Sequence, residues 1–152
     1  MTEPRISVII PHVPDLNGTN EALLRCINSL KGYDELIVVS NAGTGYGKNV
    51  NAGLKKATGD YFVISNNDIT MLSGSLRDFS ITQFSISVPK IIPAPRDHLP
   101  RSFFGVPKKI YDRMLSKYGY FFDEECILHH EGWRHIQAEQ QSRNADWRST
   151  CQ

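Results

Sequence analysis

Residues 35–68 read ELIVVSNAGTGYGKNVNAGLKKATGDYFVISNND, and the order of patterns inside this stretch decides the fold. Glu35 to Val39 is a short run rich in β-branched residues, as expected of a strand in a buried sheet. The loop from Ser40 to Gly47 carries Asn41, Gly43, Gly45 and Gly47, which give its backbone freedom. Val50, Leu54 and Ala57 then recur at the spacing of an amphipathic helix. Gly59-Asp60 turns the chain into Tyr61 to Ser65, another apolar strand, which stops at the polar triplet Asn66-Asn67-Asp68.

Upstream, Ile6-Ser7-Val8-Ile9-Ile10 is a strand halted by Pro11. A loop with Pro14, Asp15, Asn17 and Gly18 follows. Thr19 or Asn20 is suited to cap a helix carrying Leu23, Leu24, Ile27 and Leu30, with its end expected near Lys31-Gly32. Strand, helix, strand, helix, strand is the order of a doubly wound α/β unit with right-handed crossovers. In such sheets ligands bind beyond the carboxyl ends of the strands, so the loops after Pro11, Ser40 and Asn66 should converge on one crevice.

Downstream the pattern is less regular. Phe84 to Val88 alternates weakly like a strand, and Pro89 to Pro100 reads as an extended loop. Phe103 to Val106 predicts a short strand, and Pro107 the first turn of a helix carrying Ile110, Tyr111, Met114 and Leu115. A polar helix is expected from Glu131, and the tail from Ser142 to Gln152 has no apolar periodicity. With no internal repeat or boundary, the expectation is one domain over 1–152, with a ligand-binding half at 5–70 and a second half plus polar tail at 71–152.

Composition narrows the function. The chain of 152 residues is 40% apolar, which suits one folded domain. Its 17 basic and 16 acidic side chains give a net charge of +1, so no overall field favours nucleic acid or an anionic membrane. An anionic ligand must be held locally. Cys26, Cys126 and Cys151 are odd in number and far apart, unlike a disulfide framework or a zinc cluster, and suggest reduced thiols. The apolar run near the N-terminus is too short for a signal sequence or a membrane span, so a cytoplasmic protein without a transmembrane segment is expected.

The triplet holds the most chemistry. Asn66 and Asp68, two residues apart at the end of a buried strand, can present oxygens to a hard divalent cation that keeps part of its shell for water and phosphate. Asn and Asp also build ordinary turns, so the letters alone leave both readings open. His129 and His130 beside Glu131 are imidazoles of the kind that ligate metals, although adjacent side chains diverge, and surface hydrogen bonding suits them equally. Trp133 and Trp147 are suited to stacking on a sugar or to partial burial.

The run from Gly45 through Asn51, Gly53 and Gly59 to Tyr61, continuing into Asn66-Asn67-Asp68, resembles the sugar-nucleotide half of family 2 glycosyltransferases with the GT-A fold. Ser7 to Pro11 and Leu24 to Leu30 resemble that family's opening strand and helix. Phe104 to Tyr111, Phe122-Asp123-Glu124-Glu125 and His130-Glu131 resemble its acceptor-side strand, helix and acidic loop. The resemblance implies a single-domain, Rossmann-like α/β fold with a mostly parallel central sheet flanked by helices. It implies an inverting transfer of sugar from a nucleoside-diphosphate sugar to a hydroxyl of a glycan or other acceptor, with Mg²⁺ or Mn²⁺ as cofactor.

Carried over by position, the resemblance makes Asp68 the metal ligand, Asn66 its weaker partner and Asn67 a neighbour of the nucleotide. Pro11, Ser40 and Asn41 fall where base and ribose are held, and Asn51 and Gly53 fall at the helix start beside the nucleotide. That helix N-terminus is a reasonable anion site, and Lys48 would add charge there. Ser40 stands where the family usually has an aspartate, and Glu131-Gly132 where it has a Glu-Asp pair. A carboxylate must take the proton of the attacking hydroxyl, which makes Glu131 the expected catalytic base and Asp123 the second candidate. The chain is short for the family, so a partner subunit, in a homo-oligomer, would complete the acceptor site. Two other readings remain open: a degenerate module that binds nucleotide or sugar without transfer, and a nucleotidyltransferase, although His12-Val13-Pro14-Asp15 lacks the glycine-rich basic loop the latter needs.

Overall fold

The computed structural model describes residues 2–14, 16–40, 45–78, 86–88 and 103–124. The expected loop at 89–100, the polar helix from Glu131 and the tail lie outside the described residues, as do Cys126, Cys151, His129, His130, Trp133 and Trp147. Four strands form one sheet in the order β2-β1-β3-β4, where β1 is Ile6–His12, β2 Glu35–Ser40, β3 Tyr61–Ser65 and β4 Phe103–Pro107. Three helices accompany it: α1 at Thr19–Ser29, α2 at Tyr46–Lys56 and α3 at Lys108–Tyr118. β1 runs parallel to β2 and β3, whereas β4 is antiparallel to β3. The mostly parallel sheet is therefore present, with β4 as its antiparallel member.

Strand periodicity divides the core in two. Ile6, Val8 and Ile10 share one face with Tyr61 and Val63 and are covered by Cys26 of α1 and by Leu30 just after it. Ile9, Phe62, Ile64, Phe104 and Val106 face the other way, under Val50 and Leu54 of α2 and Ile110, Tyr111 and Met114 of α3. Both faces being covered explains why β1 and β3 are mostly apolar on both sides of the strand, with the buried Ser7 as an exception inside β1. α2 can approach because Gly53 has no side chain; a β-carbon there would run into Ile9 Cγ2 and Val39 Cγ2.

Helix ends depart from the sequence reading. Neither Thr19 nor Asn20 caps α1; the cap position is Gly18, at φ 79°, with no side-chain hydrogen bond. The Thr19 hydroxyl instead donates to Val13 O at 2.7 Å and accepts from Leu16 N at 3.2 Å, pinning the preceding loop. α1 stops at Ser29 because Leu30 turns to extended backbone and buries its side chain under the sheet. Pro107 is the last residue of β4, paired with Tyr61, and precedes α3 instead of opening it. Lys108 N donates to Asp60 O at 2.9 Å, which holds that junction. Of the expected strand at 84–88, residues 86–88 are described, and Ser87 bridges Gly105 through two backbone hydrogen bonds.

A polar bolt closes the sheet edge remote from the crevice. Glu35 accepts from the Ser7 hydroxyl, from Thr58 N at 2.9 Å and from Thr58 Oγ1 at 3.1 Å. The Ser7 hydroxyl and the Thr58 amide, in that order, hold the Glu35 carboxyl below its ordinary 4.5. A lowered folded-state value means that this contribution is complete above 4.5 and disappears as pH falls through the folded value. Glu35→Gln is therefore expected to lower the urea midpoint at pH 7, and the gap to wild type should narrow toward pH 3. A gap that stays constant between those pH values would remove Glu35 from the acid response.

Candidate active site

The strand register builds the site. His12 stands beside Ser40, and Pro11 beside Val39, at the carboxyl ends of β1 and β2. Ile9 pairs with Ile64, so continuing the parallel register carries Asn66 alongside Pro11. α2 begins at this same edge, its cap Gly45 at φ 105°, a conformation that side-chain-bearing residues rarely adopt. The carboxyl ends of the three parallel strands thus share one edge of the sheet, the position in which open α/β sheets hold ligands.

The triplet is anchored from below. Ser65 Oγ donates to Asn66 O at 2.9 Å, and Cys26 Sγ lies 3.5 Å from the same oxygen. Burial, and behind it the negative charge of Asp68, pushes the Cys26 thiol up, so it stays protonated and serves as a packed donor. Asn67 Nδ2 sits 3.0 Å from His12 Nδ1. Asp68 is exposed and Asn66 half-buried. A carboxylate and amide oxygens at a solvent-facing edge are the hard donor set that Mg²⁺ or Mn²⁺ takes alongside phosphate and water. Among the described residues no group of three His, Cys, Asp or Glu gathers for a metal.

The residues expected along the nucleotide divide into two sets. Pro11, Ser40, Lys48, Asn66, Asn67 and Asp68 lie at the crevice edge, with Ser40 and Lys48 exposed. Asn51 and Gly53 do not lie open to it. Gly53 is buried against the sheet, and Asn51, 5% exposed, turns its amide to the segment after α3. Asn51 Nδ2 donates to Phe122 O at 2.8 Å and to Glu124 Oε1 at 3.1 Å, and Oδ1 accepts from Phe122 N at 3.0 Å. A buried amide that satisfies both polar groups of one residue's backbone acts as a brace. Periodicity could not separate these roles, because it places a helix's apolar face without saying what a polar residue on that helix meets.

Phe122 anchors its loop: it is buried, packing edge-on against Phe121 at 5.1 Å between centroids and Tyr46 at 5.8 Å. The half-buried Asp123 and exposed Glu124 follow directly, next to the first turn of α2. Asn41 and Glu131 lie outside the described residues. The sequence reading gave His12 and Asn20 no place in the site, and their interaction emerges only in the three-dimensional arrangement. A polar residue at the carboxyl end of an otherwise apolar buried strand was the available signal.

Residues 17–79 match the family model described as glycosyl transferase family 2. No curated protein sequence matches the chain. Among solved structures, the chain is similar to the mannosyltransferase PcManGT from Pyrobaculum calidifontis, determined in complex with GDP-Man and Mn²⁺, with a TM-score of 0.55 and 17% identity. The likeness covers 79% of this chain and 48% of that one, so this chain spans about half of its length. No helix among the described residues is long and apolar enough to cross a membrane. The match at 17–79, which contains both α2 and the triplet, and the fold shared with that mannosyltransferase support a family 2 glycosyltransferase domain in this part of the chain.

Proposed function

We propose that the protein transfers a sugar from a nucleoside-diphosphate sugar to an acceptor hydroxyl, in a single inverting displacement that depends on a divalent metal. The observation that carries the reading is the triplet Asn66-Asn67-Asp68, held at the carboxyl end of β3 with its carboxylate exposed beside the end of β1. Pro11, Ser40 and Asn41 are assigned to the base and ribose. The first turn of α2 and Lys48 are assigned to the diphosphate, toward which free backbone N–H groups and a cation are attractive. Asp68 and Asn66 would hold Mg²⁺ or Mn²⁺, which supplies charge neutralisation to the leaving diphosphate. Holding donor and acceptor in line contributes much of the remaining rate.

Asn51 enters this scheme as the brace of the acidic loop and not as a nucleotide contact. Glu131 is assigned as the base that takes the acceptor proton, with Asp123 as the substitute. Glu131→Gln keeps size and most hydrogen bonding while removing proton acceptance, so donor affinity should persist and turnover should fall by about 100-fold. Wild-type turnover in that variant would move the role to Asp123. The reading as a whole is tested by a screen of nucleotide sugars, GDP-mannose among them, for Mn²⁺-dependent hydrolysis or transfer. Nucleotide binding without turnover of any donor would favour the degenerate module, toward which Ser40 and Gly132 lean.

A further inference from the structure

His12 ends β1 and is 7% exposed, with both ring nitrogens engaged. Nε2 lies 3.0 Å from Asn20 Oδ1 in the first turn of α1, and Nδ1 lies 3.0 Å from Asn67 Nδ2. An amide oxygen only accepts and an amide nitrogen only donates, so the pair of contacts is satisfied by one arrangement of the ring. Nε2–H donates to Asn20, and Nδ1 accepts from Asn67. Three elements, α1, β1 and the loop after β3, are joined through this one side chain.

The consequence falls on Asn67. The torsion that turns a side-chain amide is broad and roughly two-fold, so an unguided Asn67 would present nitrogen or oxygen outward at little cost. With Nδ2 committed to His12, the oxygen is the end turned away from the ring. The backbone of the triplet is fixed separately, by Ser65 and Cys26 at Asn66 O. Loss of His12 therefore releases the Asn67 amide without releasing the triplet.

We infer that His12 is a positioning residue that sets Asn67 to offer an oxygen to the ligand, and so favours a ligand hydroxyl or N–H over a phosphate oxygen at that point. This rests on the nucleotide-sugar reading above, since the ligand group is a ribose hydroxyl or a base N–H. It assigns a role to a residue at the end of β1 that touches no substrate itself.

The geometry of the ring supplies the test. In His12→Asn the new Oδ1 occupies the place of Nδ1 and still accepts from Asn67, whereas in His12→Gln the new Nε2 occupies the place of the ring Nε2 and serves only Asn20. Two readouts are compared across wild type, His12→Asn, His12→Gln and His12→Ala. One is the Asn67 side-chain NH₂ signal in ¹⁵N-labelled protein; the other is calorimetric affinity for GDP and UDP with Mn²⁺. The NH₂ signal should be retained in His12→Asn and displaced in His12→Gln and His12→Ala. Affinity should fall about tenfold in His12→Gln and His12→Ala, the scale of one lost hydrogen bond, and His12→Asn should recover most of that loss. A His12→Gln protein with wild-type signal and affinity, or a His12→Asn protein as weak as His12→Ala, overturns the assignment. If the wild type binds neither nucleotide, the transferase reading fails; the NH₂ signal then decides on His12 alone, and an unchanged signal in His12→Ala refutes it.

Discussion

Asp68→Ala is expected to leave the fold intact and to weaken Mn²⁺-dependent binding of a nucleoside diphosphate by about 100-fold or more, because a metal–carboxylate contact of several kcal/mol is lost. The side chain is exposed and outside both halves of the core. Surface substitutions of this kind usually change stability by no more than about 0.5 kcal/mol. Asp68→Asn separates charge from shape: it keeps an oxygen ligand but loses the negative charge, and its affinity should lie between those of wild type and Asp68→Ala. Calorimetry with GDP and UDP, in Mn²⁺ and in chelator, gives the comparison, and a thermal melt verifies the fold. Equal metal-dependent affinity in Asp68→Ala and wild type would remove the metal from this end of β3.

Asn51→Ala should cause the largest loss of stability among these variants. Truncation strands the Phe122 N–H and C=O, both of which Asn51 satisfies in the interior. Unsatisfied buried polar groups cost about 1–3 kcal/mol each, so a loss of about 3 kcal/mol is expected, partly relieved by water reaching the loop. In a domain of this size that lowers Tm by about 9 °C. Asn51→Asp sharpens the test, because a carboxylate can accept from Phe122 N but would set a negative charge against Phe122 O and the Glu124 carboxylate. Its protonated form can donate to Phe122 O, so folding favours protonation and raises the carboxyl pKa. The destabilisation of Asn51→Asp should therefore be full above that raised value and should ease as pH falls through it. Melts at pH 7 and pH 5 report this, and Asn51→Ala with a wild-type Tm would show that the brace carries no energy.

The alternating order of β1, α1, β2, α2 and β3 could be read from residue pattern alone, because a strand buried on both faces is mostly apolar and an amphipathic helix must repeat at its own period. Both are local rules. Tyr61 to Ile64 obey the first, as do Ile6 to Ile10 apart from Ser7, and Val50 with Leu54 obey the second, so the crevice edge and the triplet beyond β3 were legible without coordinates. Which polar residues at that edge stay open and which turn to the protein depends on tertiary packing. Asn51 and Asn67 have the same side chain and both lie near the crevice. Yet one is buried against Phe122, 71 positions away, and the other half-buried against His12, 55 positions away. An amide's partner depends on contacts between residues distant in sequence, and no periodicity along the chain encodes them. The helix caps differed for the same reason, since the Thr19 hydroxyl bonds the loop before α1 in place of the helix's own N–H groups. Pattern fixes where an element buries its apolar face; the packed neighbours fix what its polar atoms do.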